Sequence, residues 1–273
     1  MSGPADPSAA PKAAANLPRR AYAAARRLAL TSVYGALTSV RTSQPVAALT
    51  FDDGPHPEHT PVLLELLARH GALATHFVVG QSARRHPELI AAMRAAGHSV
   101  GSHSHSHRSL PRLAADEIRS EVVGGHGAVD GRGAPLFRPP YGHYDMTVAK
   151  AVRRAGLTCV FWSATVGDWR KREAAEMAAG LRKALKPGAI VLMHEALHTV
   201  APEDEPDRTE LFAALDTVLG ELTGRMSFVT VPQLLAHGRP VRNLIERRGE
   251  DAFVESQVRT EERLRSLLAG PVG

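Results

Sequence analysis

With 273 residues, 44% of them hydrophobic, the chain is long enough for one large domain with a sizeable core, and its single cysteine rules out an internal disulfide. The formal charge of +5 comes from 33 basic and 28 acidic side chains, Arg far outnumbering Lys, and it is spread along the chain. No basic patch interleaved with aromatics accompanies that excess, which argues against nucleic acid as a partner, and no apolar run reaches transmembrane length.

Residues 1 to about 18 are mostly Ala, Pro, Ser and Gly, a composition read as disordered. From Tyr22 to Val40 the apolar residues Tyr22, Ala25, Leu28, Ala29, Val33, Ala36, Leu37 and Val40 recur at helical spacing. No acid occurs between Lys12 and Arg41. Such a basic amphipathic helix fits peripheral contact with an anionic membrane. The favoured expectation is a helix capping the bottom of the domain, the more ordinary role for a helix of moderate amphipathicity. As an export signal the stretch Leu28 to Val40 is poor, being broken by Thr31, Ser32, Tyr34, Gly35, Thr38 and Ser39. The nearest small-x-small site, Val46 to Ala48, falls inside the first expected strand. A cytoplasmic place, or one at the cytoplasmic membrane surface, is therefore the expectation, with a twin-Arg route left open.

From Pro45 onward strand-like and helix-like segments alternate. Strands are expected at Val46–Phe51, Ala74–Val79, from Ser99, and at Leu157–Trp162, Ala189–Met193 and Ser227–Thr230. Helices are expected at Thr60–Arg69, with Thr60 as N-cap and Pro61 first, and at Pro87–Ala96, Leu113–Val123, Thr147–Ala155, Glu173–Leu185 and Arg208–Leu222. Alternation with short links predicts an α/β fold, a parallel sheet closed or nearly closed into a barrel. No internal repeat is present. The expected division is 1–44 as disordered segment plus basic helix, 45–238 as the core domain, and 239–273 as a charged helical extension.

In such a barrel the chemistry sits at the carboxyl ends of the strands, and the polar clusters fall there. Asp52 and Asp53 follow the first strand. At a strand end the backbone turns, so two adjacent acids can enter one site, one binding a metal and the other taking a proton. An Asp-Asp-Gly-Pro sequence is also a plain turn. His103 and His107 stand four residues apart, on one face of a helical turn, and with Asp53 they give three nitrogen and oxygen donors. That set suits Zn2+, with Co2+ or another transition metal as alternatives. A solvated His-rich loop is the plainer reading. His105 would point away. Arg138-Pro139-Pro140-Tyr141 reads as a stiff loop whose Arg pairs with a carboxylate and whose backbone N–H faces an oxyanion, or as a Pro-rich turn. Asp168-Trp169 offers a carboxylate to orient a His beside an aromatic wall, and His194 at the end of Ala189–Met193 is a candidate general acid. Cys159, in an apolar run, reads as a buried inert thiol.

These clusters, in this order, resemble the five motifs of the NodB-homology polysaccharide deacetylases, carbohydrate esterase family 4. The resemblance spans Pro45 to His237. It is carried by Thr50-Phe51-Asp52-Asp53-Gly54, Gly101-Ser102-His103-Ser104-His105-Ser106-His107, Arg138-Pro139-Pro140-Tyr141, Asp168-Trp169 and Leu192-Met193-His194. Thr60-Pro61-Val62-Leu63-Leu64 and Gly71-Ala72-Leu73-Ala74-Thr75 also follow the family's text. The resemblance implies a distorted (β/α) barrel of about seven strands and metal-dependent hydrolysis of an N-acetyl group on an amino sugar. It implies that Asp53, His103 and His107 hold the metal and that Asp52, kept in place by Arg138, is the base. By the same likeness, His194 paired with Asp168 protonates the leaving amine, Tyr141 offers a backbone N–H to the oxyanion, and Trp169 and Leu192 wall the acetyl pocket. Two positions depart from the pattern. Thr165 stands where an Asp is usual, and His76, in Thr75-His76-Phe77, stands where an apolar ring is usual. The alternatives are a related amidase or deformylase, an O-deacetylase, or an inactive sugar-binding module. The acceptor sugar, the native metal and the oligomeric state are not legible in the sequence.

Overall fold

The apolar run that begins at Val46 becomes the central strand of the molecule, buried at all seven of its positions. The computed structural model describes residues 17–129, 134–198 and 207–249. In chain order the strands are Ala36–Arg41 (β1), Val46–Asp52 (β2), Ala74–Val78 (β3), Ser99–Ser102 (β4), Leu136–Phe137 (β5), Thr158–Cys159 (β6), Ala164–Thr165 (β7), Ile190–His194 (β8), Ser227–Phe228 (β9) and Arg239–Asn243 (β10). Seven of them form a parallel sheet in the spatial order β6-β5-β4-β3-β2-β8-β7, with β9 pairing beside the start of β2. This is the curled, barrel-like α/β sheet that the alternation predicts. A strand covered on both faces has no need of alternating polarity, which is why β2 reads as an unbroken apolar segment.

Helices His59–Arg69 (α2), Ala174–Ala184 (α7) and Thr209–Leu222 (α8) cover the outer face around β2, packing Leu63, Leu67, Leu181 and Leu215 on Leu49 and Phe51. Inside the curl, Ala48, Phe77, Val160 and Ile190 meet Leu37 and Val40 of β1. β1 reaches Val160 through Leu37 and Ala189 through Ser39, plugging the seam between the two ends of the sheet. The expectation of one helix from Tyr22 to Val40 is thus corrected. The first helix (α1) is Leu17–Tyr34, and Gly35, whose Cβ would lie 2.3 Å from the Thr31 carbonyl, separates it from β1. Apolar residues at Ala36, Leu37 and Val40 fit either period, and pairing with β10 decides for the strand.

β10 also corrects the C-terminal expectation. Residues 239–243 belong to the antiparallel pair with β1, and Arg247 bridges to Tyr144. The rest of the expected C-terminal helix, from 250, and the N-terminal residues 1–16, lie outside the described residues. α1 does not cap the barrel along its length. Residues 19–29 are exposed, Tyr22 by 73% and Leu28 by 72%, and only Leu30, Thr31 and Tyr34 are partly covered. Among the described residues, no helix is long and apolar enough to cross a membrane.

The remaining helices, Gly80–Arg85 (α3), Pro87–Ala95 (α4), Ala115–Gly127 (α5), Met146–Arg154 (α6) and Val231–Leu234 (α9), follow the expected alternation, except that α3, α9, β5 and β7 are too short to carry a period. α2 is capped by Glu58 rather than Thr60. Thr60 is buried and directs its hydroxyl elsewhere, to Glu195 at 2.9 Å.

Candidate active site

Adjacent side chains on an extended strand point to opposite faces, so Asp52 and Asp53 share a site only because the backbone turns between them. Asp52 is the last residue of β2, level with Phe77 on β3 and His194 on β8. Asp53 takes a left-handed conformation, φ 73°. Both are buried.

Asp53 Oδ1 lies 3.3 Å from His103 Nε2 and 3.1 Å from His107 Nε2. No hydrogen-bond donor is aligned to this buried oxygen among the described residues. The three donor atoms lie within 4.8 Å of one another. Bonds of about 2.0–2.1 Å to a tetrahedral cation would separate its ligands by about 3.3 Å, so the set fits a divalent metal without rearrangement of the Asp53 contacts. Nδ1 of His103 donates to the Arg138 carbonyl at 2.7 Å, which leaves the Nε2 lone pair for a ligand. Burial alone would raise the Asp53 carboxyl, but His107 and His103 hold it well below the usual carboxylate range. Its second oxygen accepts the backbone N–H of His198 at 3.2 Å.

The four-residue spacing of His103 and His107 works, but not on a helical turn. The segment is a loop in which Ser104 and His107 both have positive φ. The Ser104 hydroxyl accepts the His107 N–H at 3.0 Å. The buried carboxylate of Glu121 on α5 receives the N–H groups of His105 and Ser106 at 3.0 and 2.9 Å. His105 is not among the three clustered donors and packs on Gly80 and Gly124.

Arg138, following β5, has no exposed surface. Its Nη1 donates to Asp52 Oδ1 at 2.7 Å and to Thr50 Oγ1 at 2.8 Å, while Nη2 and Nε donate to the carbonyls of Phe161 and Val160. The guanidinium stacks 4.1 Å from the centre of the Phe77 ring. Asp52 Oδ2 is left 3.8 Å from His103 Nε2, on the side of the Asp53–His103–His107 cluster.

On the opposite flank, the His194 backbone N–H donates to Asp168 Oδ2 at 2.8 Å and its Nδ1 lies 3.2 Å from Oδ1. The Nδ1 proton therefore belongs to that pair, and Nε2 is turned the other way. Burial opposes the imidazolium, but Asp168, with Asp53 and Asp52 behind it, pushes the His194 pKa up to about 9. Asp168 follows β7 rather than the strand through Trp162, and the buried Arg208 donates to its backbone carbonyl at 3.2 Å. Trp169 presents an edge-on ring 5.8 Å from His194 and is partly exposed, while Leu192 shares the His194 face of β8. Tyr141 (φ 57°, ψ 5°) sits in the turn Pro140–Gly142, with its ring 4.6 Å from that of His107. Thr165 ends β7 and is exposed. Cys159 is buried and its thiol is pushed up to about 12, so it is inert as a nucleophile.

All ten residues singled out in the sequence thus converge on one end of the sheet. Glu121, His198, Arg208 and Glu195 were missed. Each acts through a contact 15 or more residues away in sequence, so no local pattern marks it.

Residues 39–160 match the polysaccharide deacetylase family model. The chain is 31% identical to a chitooligosaccharide deacetylase of Azorhizobium caulinodans, over 71% of this chain and 96% of that one. It is 32% identical to a peptidoglycan-N-acetylglucosamine deacetylase of Bacillus cereus, over 72% and 92%. Among solved structures it is similar to the Bc1960 peptidoglycan N-acetylglucosamine deacetylase, with a TM-score of 0.68 at 27% identity, covering 78% of this chain and 99% of the other. Motifs, fold and relatives agree: the chain belongs to the polysaccharide deacetylases of carbohydrate esterase family 4, hydrolases of the carbon–nitrogen bond in N-acetylated sugars.

Proposed function

We propose that this chain is a divalent-metal-dependent de-N-acetylase of a glycan built from N-acetylglucosamine, releasing acetate and a free amine. The observation that carries the reading is the Asp53–His103–His107 donor set, flanked by Asp52–Arg138 on one side and His194–Asp168 on the other. A divalent cation such as Zn2+ held by the three would polarise the amide carbonyl and acidify the attacking water. Asp52 takes the proton of that water at Oδ2, its Oδ1 being anchored by Arg138. The backbone N–H of Tyr141 faces the developing oxyanion from a left-handed turn beside His107. His194 gives the proton at Nε2 to the departing nitrogen, Asp168 holding its Nδ1. Trp169 and Leu192 wall the acetyl methyl. Relatives named as a chitooligosaccharide deacetylase and a peptidoglycan-N-acetylglucosamine deacetylase support this substrate class without choosing the polymer.

The projecting α1 is, in this reading, a contact with an anionic membrane surface. With about 3.6 residues per turn, Tyr22, Ala25, Leu28, Ala29 and Val33 share one side, Arg20 and Arg27 lie opposite, and Arg19 and Arg26 stand at the edge of the apolar stripe. Leu30 and Tyr34, which the domain partly covers, lie on the Arg side, so the apolar side faces outward. An exposed apolar stripe flanked by cations suits acidic lipid.

Four measurements follow. Acetate release from N-acetylglucosamine oligomers is expected to vanish on chelation and to return with Zn2+ or Co2+; release that survives complete chelation sinks the metal role. Asp52→Asn is expected to lower kcat by about 10²–10⁴-fold while metal still binds, and turnover at the native rate would remove Asp52 as base. His194 must be protonated to act, so the rate falls as pH rises through its pKa. Since Asp168 raises that pKa, Asp168→Asn should move the alkaline limb of the kcat/KM profile to lower pH by roughly one to three units. An unmoved limb contradicts the pairing. The full chain should sediment with phosphatidylglycerol-containing vesicles but not with pure phosphatidylcholine, and Leu28→Glu should abolish this; sedimentation with neither lipid ends the membrane reading.

A further inference from the structure

Beside the catalytic groups lies a second, fully enclosed pair that the proposed chemistry does not use. Glu195 directly follows His194, yet its side chain turns into the sheet. Neither it nor His76 on β3 has any exposed surface. Glu195 Oε2 lies 2.7 Å from His76 Nδ1, and Oε1 accepts the Thr60 hydroxyl at 2.9 Å. Thr60 Oγ1 in turn accepts the His56 N–H at 2.9 Å. A buried carboxylate is costly unless both oxygens are satisfied, and here each is.

The pair closes a ring of contacts around the turn that carries Asp53. The backbone N–H of Glu195 donates to the Asp52 carbonyl at 3.2 Å, where β2 ends. Its side chain lies flat against Gly54, so closely that a β-carbon there would be 1.6 Å from Oε1. Gly54 O in turn accepts the Val79 N–H at 2.9 Å, at the end of β3. His76 is set by its neighbours, stacked on Phe51 at 5.7 Å and edge-on to His98 at 5.3 Å. The segment from Asp52 to His56 is therefore held from β8 by Glu195, from β3 by Val79, and from α2 by Thr60. Asp53, with φ 73°, occupies the left-handed region, a sparsely populated conformation for an L-residue that these contacts support.

We propose that the Glu195–His76 pair is the positioning device of this turn. Glu195 is the wedge that keeps Gly54, and through it Asp53, in the ligating conformation, and His76 fixes the direction of the wedge. An apolar pair of the same volume would fill the space but would not aim it, because packing tolerates displacements that directed hydrogen bonds do not. Metal and catalytic sites need their groups held within about 0.5 Å. The inference rests on the de-N-acetylase reading for its kinetic consequences, but not for its effect on metal affinity.

The test uses the full chain and three variants: His76→Phe, Glu195→Gln, and the double variant His76→Phe/Glu195→Leu. Zn2+ affinity is read by competition with a chromophoric chelator, kcat and KM on N-acetylglucosamine oligomers, and folding by the melting temperature. His76→Phe strands the carboxylate and is expected to lower both Zn2+ affinity and kcat at least tenfold, with KM little changed. Glu195→Gln keeps an acceptor for Thr60 and an amide facing His76, and is expected to recover most of both. The double variant restores an apolar core and a native melting temperature, but it should keep the tenfold losses. A double variant with native Zn2+ affinity and kcat overturns the proposal, since packing alone would then suffice. Glu195→Gln no better than the double variant also overturns it. If the native chain releases no acetate, the de-N-acetylase reading fails, while the Zn2+ affinities still decide the role of the pair.

Discussion

One buried guanidinium holds the catalytic end of this sheet together. Arg138 has lost all contact with solvent, a cost no single partner offsets, and its planar fork donates to four acceptors. Asp52 and Thr50 on β2 take Nη1, and the chain after β6 takes Nε and Nη2 through the carbonyls of Val160 and Phe161. Its own carbonyl receives His103 Nδ1. The same residue therefore orients the proposed base, sets the proton position of the proposed metal ligand His103 and joins strands on both sides of the curl. A lysine could carry the charge, but its point-like ammonium could not reach these acceptors in one plane.

Strain is concentrated around this anchor. Among the described residues, four non-glycine positions have positive φ, namely Asp53, Ser104, His107 and Tyr141, and all lie in the loops that carry Asp53, His103 and His107 or in the turn beside them. Each costs roughly 1–3 kcal/mol. Compensation is local and specific. Glu121 fastens the loop of Ser104 to His107 by two backbone amides, and Glu195 with Gly54 fastens the turn of Asp53. Side chains held this way are pre-positioned, so little reorganisation would oppose the binding of a cation.

How much of this was readable in the sequence depended on range. Asp52–Asp53, His103–His107 and His194 stand where apolar strands end, and in a parallel sheet that place is chemical by construction. The long helices were legible from their period. β1 was not, since Ala36, Leu37 and Val40 satisfy helical and extended spacing alike and the partner strand lies some two hundred residues away in sequence. The imidazoles were legible, but not the loop that presents them, because a left-handed serine leaves no trace in a residue pattern. His76 stood out as an anomaly, and its partner did not, for Glu195 looks like any acid until burial shows that it has nowhere else to go.

Charge balance explains why His194 is tuned as it is. Asp52, Asp53 and Asp168 contribute three negative charges to the site, and Arg138, Arg208 and a protonated His194 offset them. Without a further cation, that ledger favours the imidazolium, and His194 stays charged up to about 9. For the general acid proposed here, which would serve best with a pKa near the working pH, this value is high. Two added positive charges at Asp53, His103 and His107 would reverse the local sign, drawing His194 down towards neutrality while leaving a net positive field for the developing oxyanion. With His194 neutral the three carboxylates exceed the two guanidiniums by one charge, and that surplus is what places a proton on the imidazole.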